Sequence, residues 1–117
     1  MPKRKRKTTI KFREKHPREI DKFYRISDSN NGHPGQVFFC DVENDLYLLV
    51  KFTQTDNKDR VKLAHNIDPN SKKDQYAHIR PFKLRYDDME YTEKYISFRI
   101  HPDDVKLIDS IKKRRPK

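Results

Sequence analysis

The chain is short of cysteine and glycine, and it lacks any long apolar run. One cysteine, Cys40, excludes an internal disulfide; its place in the run Val37-Phe38-Phe39-Cys40 predicts a buried, inert thiol and a reducing, cytoplasmic setting. Gly32 and Gly35 are the only glycines, so a glycine-rich phosphate loop and P-loop nucleotide hydrolysis are excluded. No apolar run approaches the ~20 residues that span a bilayer, and the N-terminus lacks the apolar core of a signal peptide, so no membrane is expected as a partner. Five histidines occur without C-x-x-C, H-E-x-x-H or an i, i+4 pair, so the spacing announces no metal and no cofactor.

Charge is abundant. The charged fraction of 39% stands well above the roughly 25% of an average globular protein, and the net charge is +10. The excess sits at the ends: Lys3, Arg4, Lys5, Arg6 and Lys7 in one, Lys112, Lys113, Arg114, Arg115 and Lys117 in the other. Between them 18 basic residues balance 18 acidic ones. Two basic tails on a neutral domain suit a polyanion gripped by counterion release, independent of sequence. The organisation expected is a basic, flexible arm over 1–15, one globular β-rich domain over 16–111 and a basic tail over 112–117.

The strongest structural signal runs from Gly32 to Thr55. Two runs rich in β-formers, Val37 to Cys40 and Leu46 to Thr53, flank a polar turn and predict a largely buried hairpin. His33, ahead of the first strand, and Thr53, closing the second, would then meet at one rim. Lys22 to Ser27 reads as a strand, or Pro17 opens a helix there; periodicity leaves both open. Short strands are expected over Val61–Ala64, over Tyr76–Leu84 with Pro81 forcing an edge or bulge, and over Tyr95–Ile100 from strict alternation. Pro102, Asp103 and Asp104 followed by Val105, Ile108 and Ile111 predict a C-terminal helix. The fold class is mainly β (α+β): a small twisted antiparallel sheet or small barrel with a C-terminal helix.

His33, Thr53, His65, His78 and Arg80 are the candidate site residues. Cleavage of RNA by its own 2′-hydroxyl needs a base, an acid and a cation for the charge on phosphorus, and two imidazoles with a guanidinium suffice without metal. Tyr86, Tyr91 and Tyr95 are the candidates for stacking on bases.

The order Gly32-His33-Pro34, strand, strand ending in Thr53, strand with Ile79-Arg80, then helix resembles the MazF/PemK-like toxins over roughly residues 22–115. That resemblance implies an SH3-like, MazF-like barrel, a metal-independent endoribonuclease cutting single-stranded RNA, a cognate antitoxin protein and, as in the family, a homodimer. His33-Pro34 stands where the family has a functional Arg-Pro, and Thr53 where it has a functional Thr. His33 would act as acid or base, Thr53 would donate to the phosphate, and Arg80, with His78 nearby, would stabilise its charge. Two readings from other classes compete: a non-enzymatic nucleic-acid-binding small barrel from a mobile element, and a protein-binding inhibitor or adaptor.

Overall fold

The computed structural model describes residues 9–27 and 32–117. Lys3, Arg4, Lys5, Arg6 and Lys7 lie outside the described residues, so the basic arm is described only from Thr9. There the chain is already folded, ahead of the expected start at residue 16. The Thr9 hydroxyl oxygen accepts the Phe12 amide at 3.2 Å and caps helix α1 (Ile10–Lys15). Six residues do not hold a helix unaided. Tertiary contacts supply the rest: buried Arg13 donates to the Val42 carbonyl at 3.1 Å and lies 3.8 Å from the Asp45 carboxylate.

The open question over Lys22–Ser27 resolves as a strand, β1 (Phe23–Ile26), while residues 17–19 have no regular structure. β1 sends Tyr24 and Ile26 to one face and Phe23 to the other, and both faces are covered. It pairs antiparallel with β2 (His33–Asp41), which turns into β3 (Leu46–Thr53). The turn places Asp45 at φ 52°, and its carboxylate accepts the Tyr86 amide at 2.9 Å, so the hairpin tip is anchored to the far part of the chain.

The expected strand over Tyr76–Leu84 is broken in two. β5 (Tyr76–His78) pairs with Phe52 and Thr53, and β6 (Phe82–Leu84) pairs with Tyr47 to Leu49, both antiparallel to β3 and on its same edge. Pro81, without an amide donor and fully buried, sits in the interruption. β4 (Arg60–Lys62) adds to β5, and β7 (Met89–Glu90) adds to β1. The strand order is β4-β5-β3-β2-β1-β7, with β6 beside β3. The sheet is open: no pairing joins β4 to β7 among the described residues.

Tyr95–Ile100 is not a strand. The amides of Tyr95, Ile96 and Phe98 donate to the carbonyls of Thr92, Glu93 and Tyr95 at 3.2, 3.1 and 3.0 Å, so a run of tight turns consumes the donors that a ladder would need. Phe98 is buried here while Ile96 is 68% exposed. The C-terminal helix is present: Pro102–Asp104 forms a 3-10 turn leading into α2 (Val105–Lys112). Ile108 and Ile111 seal one face of the sheet over Val50, Phe52 and Ala77; Val105, expected on that face, is exposed. The opposite face buries Ile26, Val37, Tyr47, Leu49 and Met89. Cys40 is half-buried rather than enclosed. No helix among the described residues is long and apolar enough to cross a membrane.

Gly35 sits where the side chains of β1 and β3 close over β2 on one face of the sheet. A Cβ there would lie 2.7 Å from Ile26 Cδ1 and 3.0 Å from Leu49 Cδ2. Gly35→Ala should therefore destabilise by about 1–3 kcal/mol in urea unfolding, whereas Phe39→Ala, at a 43% exposed side chain, should change stability by about 0.5 kcal/mol or less.

Candidate functional site

Strand alternation puts Tyr47, Leu49, Lys51 and Thr53 of β3 on one face. The first two belong to the apolar cluster with Val37 and Ile26; the last two are polar and still buried, at 8% and 5% exposure. One face of the sheet thus changes character along its length, apolar near the hairpin turn and basic at the other end.

Three strands converge on that basic end. On β2, His33 follows the same alternation as Gly35, which pairs with Lys51. His33 and Thr53 line one depression of about 390 Å³, with Gln54, Thr55 and Gln75. The Thr53 oxygen accepts the Thr55 amide at 3.3 Å, a bond that leaves its own O–H able to donate. On β5, His78 follows Ala77, the partner of Phe52, and so comes beside Lys51. A second depression of about 280 Å³ is lined by His78, Arg80, Lys117, Asp59 and Ile79.

His78 is the unusual group. It is 6% exposed, and neither ring nitrogen has a hydrogen-bond partner among the described residues. Its ring meets Phe82 edge-on at 5.1 Å. Over the same Phe82 ring lie the ammonium groups of Lys51 at 5.0 Å and Lys117 at 5.5 Å. Burial, and then the charges of Lys51, Arg60, Lys117 and His33, push the His78 imidazole down to about 4, so it is neutral at physiological pH.

The chain therefore brings His33, Thr53 and His78 to one end of the sheet, with Arg80 exposed at the rim of the second depression. His65 sits apart, exposed against Asp103. The C-terminal tail folds back rather than running free: Lys112 is the last residue of α2 and lies 3.8 Å from Asp109, and the Lys117 amide donates to the Pro81 carbonyl at 2.9 Å. Lys113, Arg114 and Arg115 between them are exposed. Lys51, Arg60 and Lys117 were absent from the sequence candidates. Lys51 had a legible signal, as the one cation inside Leu48-Leu49-Val50-Lys51-Phe52.

Tyr86 is removed from the stacking candidates. It is buried, its hydroxyl donates to the His16 carbonyl at 2.5 Å, and Arg18 lies 3.9 Å over its ring. Tyr95 is half-buried against Phe98 at 4.6 Å, and burial pushes its phenol up. Tyr91 is 57% exposed.

No protein-family model, curated protein or solved structure matches this chain.

The His78 environment sets a pH dependence of stability. The imidazole titrates near 6.5 when unfolded and at about 4 when folded, so as pH falls the unfolded chain takes up the proton first. The contribution of neutral His78 is complete above about pH 6.5 and is lost as pH falls from there toward 4. His78→Gln should flatten the pH–stability curve across that window by on the order of 2 kcal/mol in urea midpoints converted to free energy. Parallel curves for the two proteins would refute the assignment.

Proposed function

We propose that this protein is a metal-independent endoribonuclease acting on single-stranded RNA, the toxin half of a toxin–antitoxin pair. The observation that carries the reading is His78: a buried neutral imidazole with two unpartnered nitrogens, facing Lys51, Arg60 and Lys117, with His33 close enough to influence its titration.

A phosphodiester seated over this end would bring its negative charge among those cations, and that charge would raise the His78 pKa toward neutrality. His78 then removes the proton of the 2′-hydroxyl as its oxygen attacks phosphorus. The bond from phosphorus to the 5′-oxygen breaks, and His33 supplies the proton to that leaving oxygen, giving a 2′,3′-cyclic phosphate and a free 5′-hydroxyl. Lys51 and Arg80 offset the charge that builds on the non-bridging oxygens, and the Thr53 O–H donates to one of them. In this reading the open sheet is a variant of the small SH3-like, MazF-like barrel, the RNA is cytoplasmic, a cognate antitoxin neutralises the enzyme by covering the same two depressions, and a homodimer follows the family pattern.

A second reading has its own support. Lys113, Arg114 and Arg115 project from the end of α2 and, with the net charge of +10, suit a protein that holds nucleic acid without cutting it.

Incubation with a long end-labelled single-stranded RNA in EDTA separates the two. The nuclease should yield fragments ending in cyclic phosphate, and His33→Ala and His78→Gln should each slow cleavage by roughly 10²- to 10⁴-fold. Replacing Lys113, Arg114 and Arg115 by Ser should weaken binding and lower its salt dependence while leaving cleavage at saturating RNA unchanged. RNA that stays intact across a wide range of protein concentration, yet binds in a salt-dependent way, overturns the nuclease and establishes the binding protein.

A further inference from the structure

A second cluster lies on the surface, built by residues far apart in the chain. His65 comes from the loop after β4, while His101 and Asp103 come from the turn that opens α2. His65 Nε2 is 2.9 Å from Asp103 Oδ2, and His101 Nδ1 is 3.6 Å from that same oxygen. The two imidazole rings stack at 3.6 Å and 24°, and one ligand atom from each of the three residues lies within 4.8 Å of the others. Donors about 2.1 Å from a tetrahedral zinc stand about 3.4 Å apart, and the separations of the two imidazole nitrogens from the carboxylate oxygen bracket that spacing.

The loop and the turn are fixed to each other beneath the cluster. Asp104, 3% exposed, accepts the Ala64 amide at 2.8 Å and the His65 amide at 3.0 Å through its two carboxylate oxygens. His65 is therefore held at the start of α2 by a buried carboxylate bound to its own backbone. The fold itself thus brings together the two chain segments that carry the three side chains.

We propose that His65, His101 and Asp103 form a binding site for a divalent transition metal of the zinc class, with water completing the coordination. Two imidazoles and one carboxylate select a borderline ion over calcium or magnesium, which take all-oxygen sets. The hydrogen bond between His65 Nε2 and the Asp103 carboxylate gives way to the metal, and the neutral imidazole then carries its hydrogen on Nδ1. His101 Nδ1 accepts the Asp103 amide at 3.1 Å, and coordination there exchanges that hydrogen bond for the metal. The ion would clamp the β4 loop to the head of α2, a structural brace separate from the basic end of the sheet. It holds whether or not the protein cuts RNA.

The test is titration of the full-length, ¹⁵N-labelled protein with zinc chloride, read on the imidazole nitrogens. One equivalent should move the ring nitrogens of His65 and His101 and leave those of His16, His33 and His78 in place. Excess zinc should raise the melting temperature by on the order of 5 °C or more. Both effects should vanish in His65→Gln, which leaves the helix cap untouched, and weaken in Asp103→Asn, with circular dichroism matching the parent in each. Unmoved His65 and His101 signals overturn the proposal, as does equal zinc binding by His65→Gln.

Discussion

Hydrogen bonds run along both edges of β3, to β2 on one side and to β5 and β6 on the other, and side chains cover both of its faces. A strand enclosed in this way has no solvent side on which to place a polar residue. Val50 and Phe52 meet α2 on one face, and Tyr47 and Leu49 meet β1 and β2 on the other. Where the apolar supply of the second face runs out, Lys51 and Thr53 remain inside. Their burial forces the neighbouring strands to supply compatible partners, and the break between β5 and β6 opens the sheet edge beside Lys51.

Two buried polar groups show opposite solutions to the same desolvation cost. Asp104 takes two backbone amides and is satisfied, so it serves the fold. His78 has an aromatic edge, a set of nearby cations and no hydrogen-bond partner among the described residues, and it responds by giving up its charge. A group kept in that condition is a stability liability unless something arrives to complete it. In the proposed function, the phosphodiester is what completes it.

The hairpin and α2 were readable in the sequence because their signals are local: β-formers around a polar turn, and Pro102 with two acids ahead of Ile108 and Ile111. Tyr95–Ile100 misled because alternation records hydrophobicity and not hydrogen bonding, and the Thr92-capped turns take the donors first. α1 was hidden in a basic stretch because what stabilises it, Arg13 against Val42 and Asp45, lies some thirty positions downstream. His33 and Thr53 could be placed at one rim from the hairpin register alone. Lys117 beside His78 could not, since it depends on the tail turning back to Pro81, and His65 beside His101 depends on the Asp104 carboxylate joining two distant segments.

The strand path from β4 to β7 ends in a short strand at each side, and three-residue β6 beside β3 adds another short edge. β4 contributes three residues, two of them basic, with Lys62 paired to Asp74; β7 contributes two, with Glu90 paired to Arg25. Another copy of the chain finds little unpaired backbone at either end and a charged side chain at each. Short strands with charged side chains at these ends disfavour templated stacking of strand on strand, which is what an unclosed sheet otherwise invites.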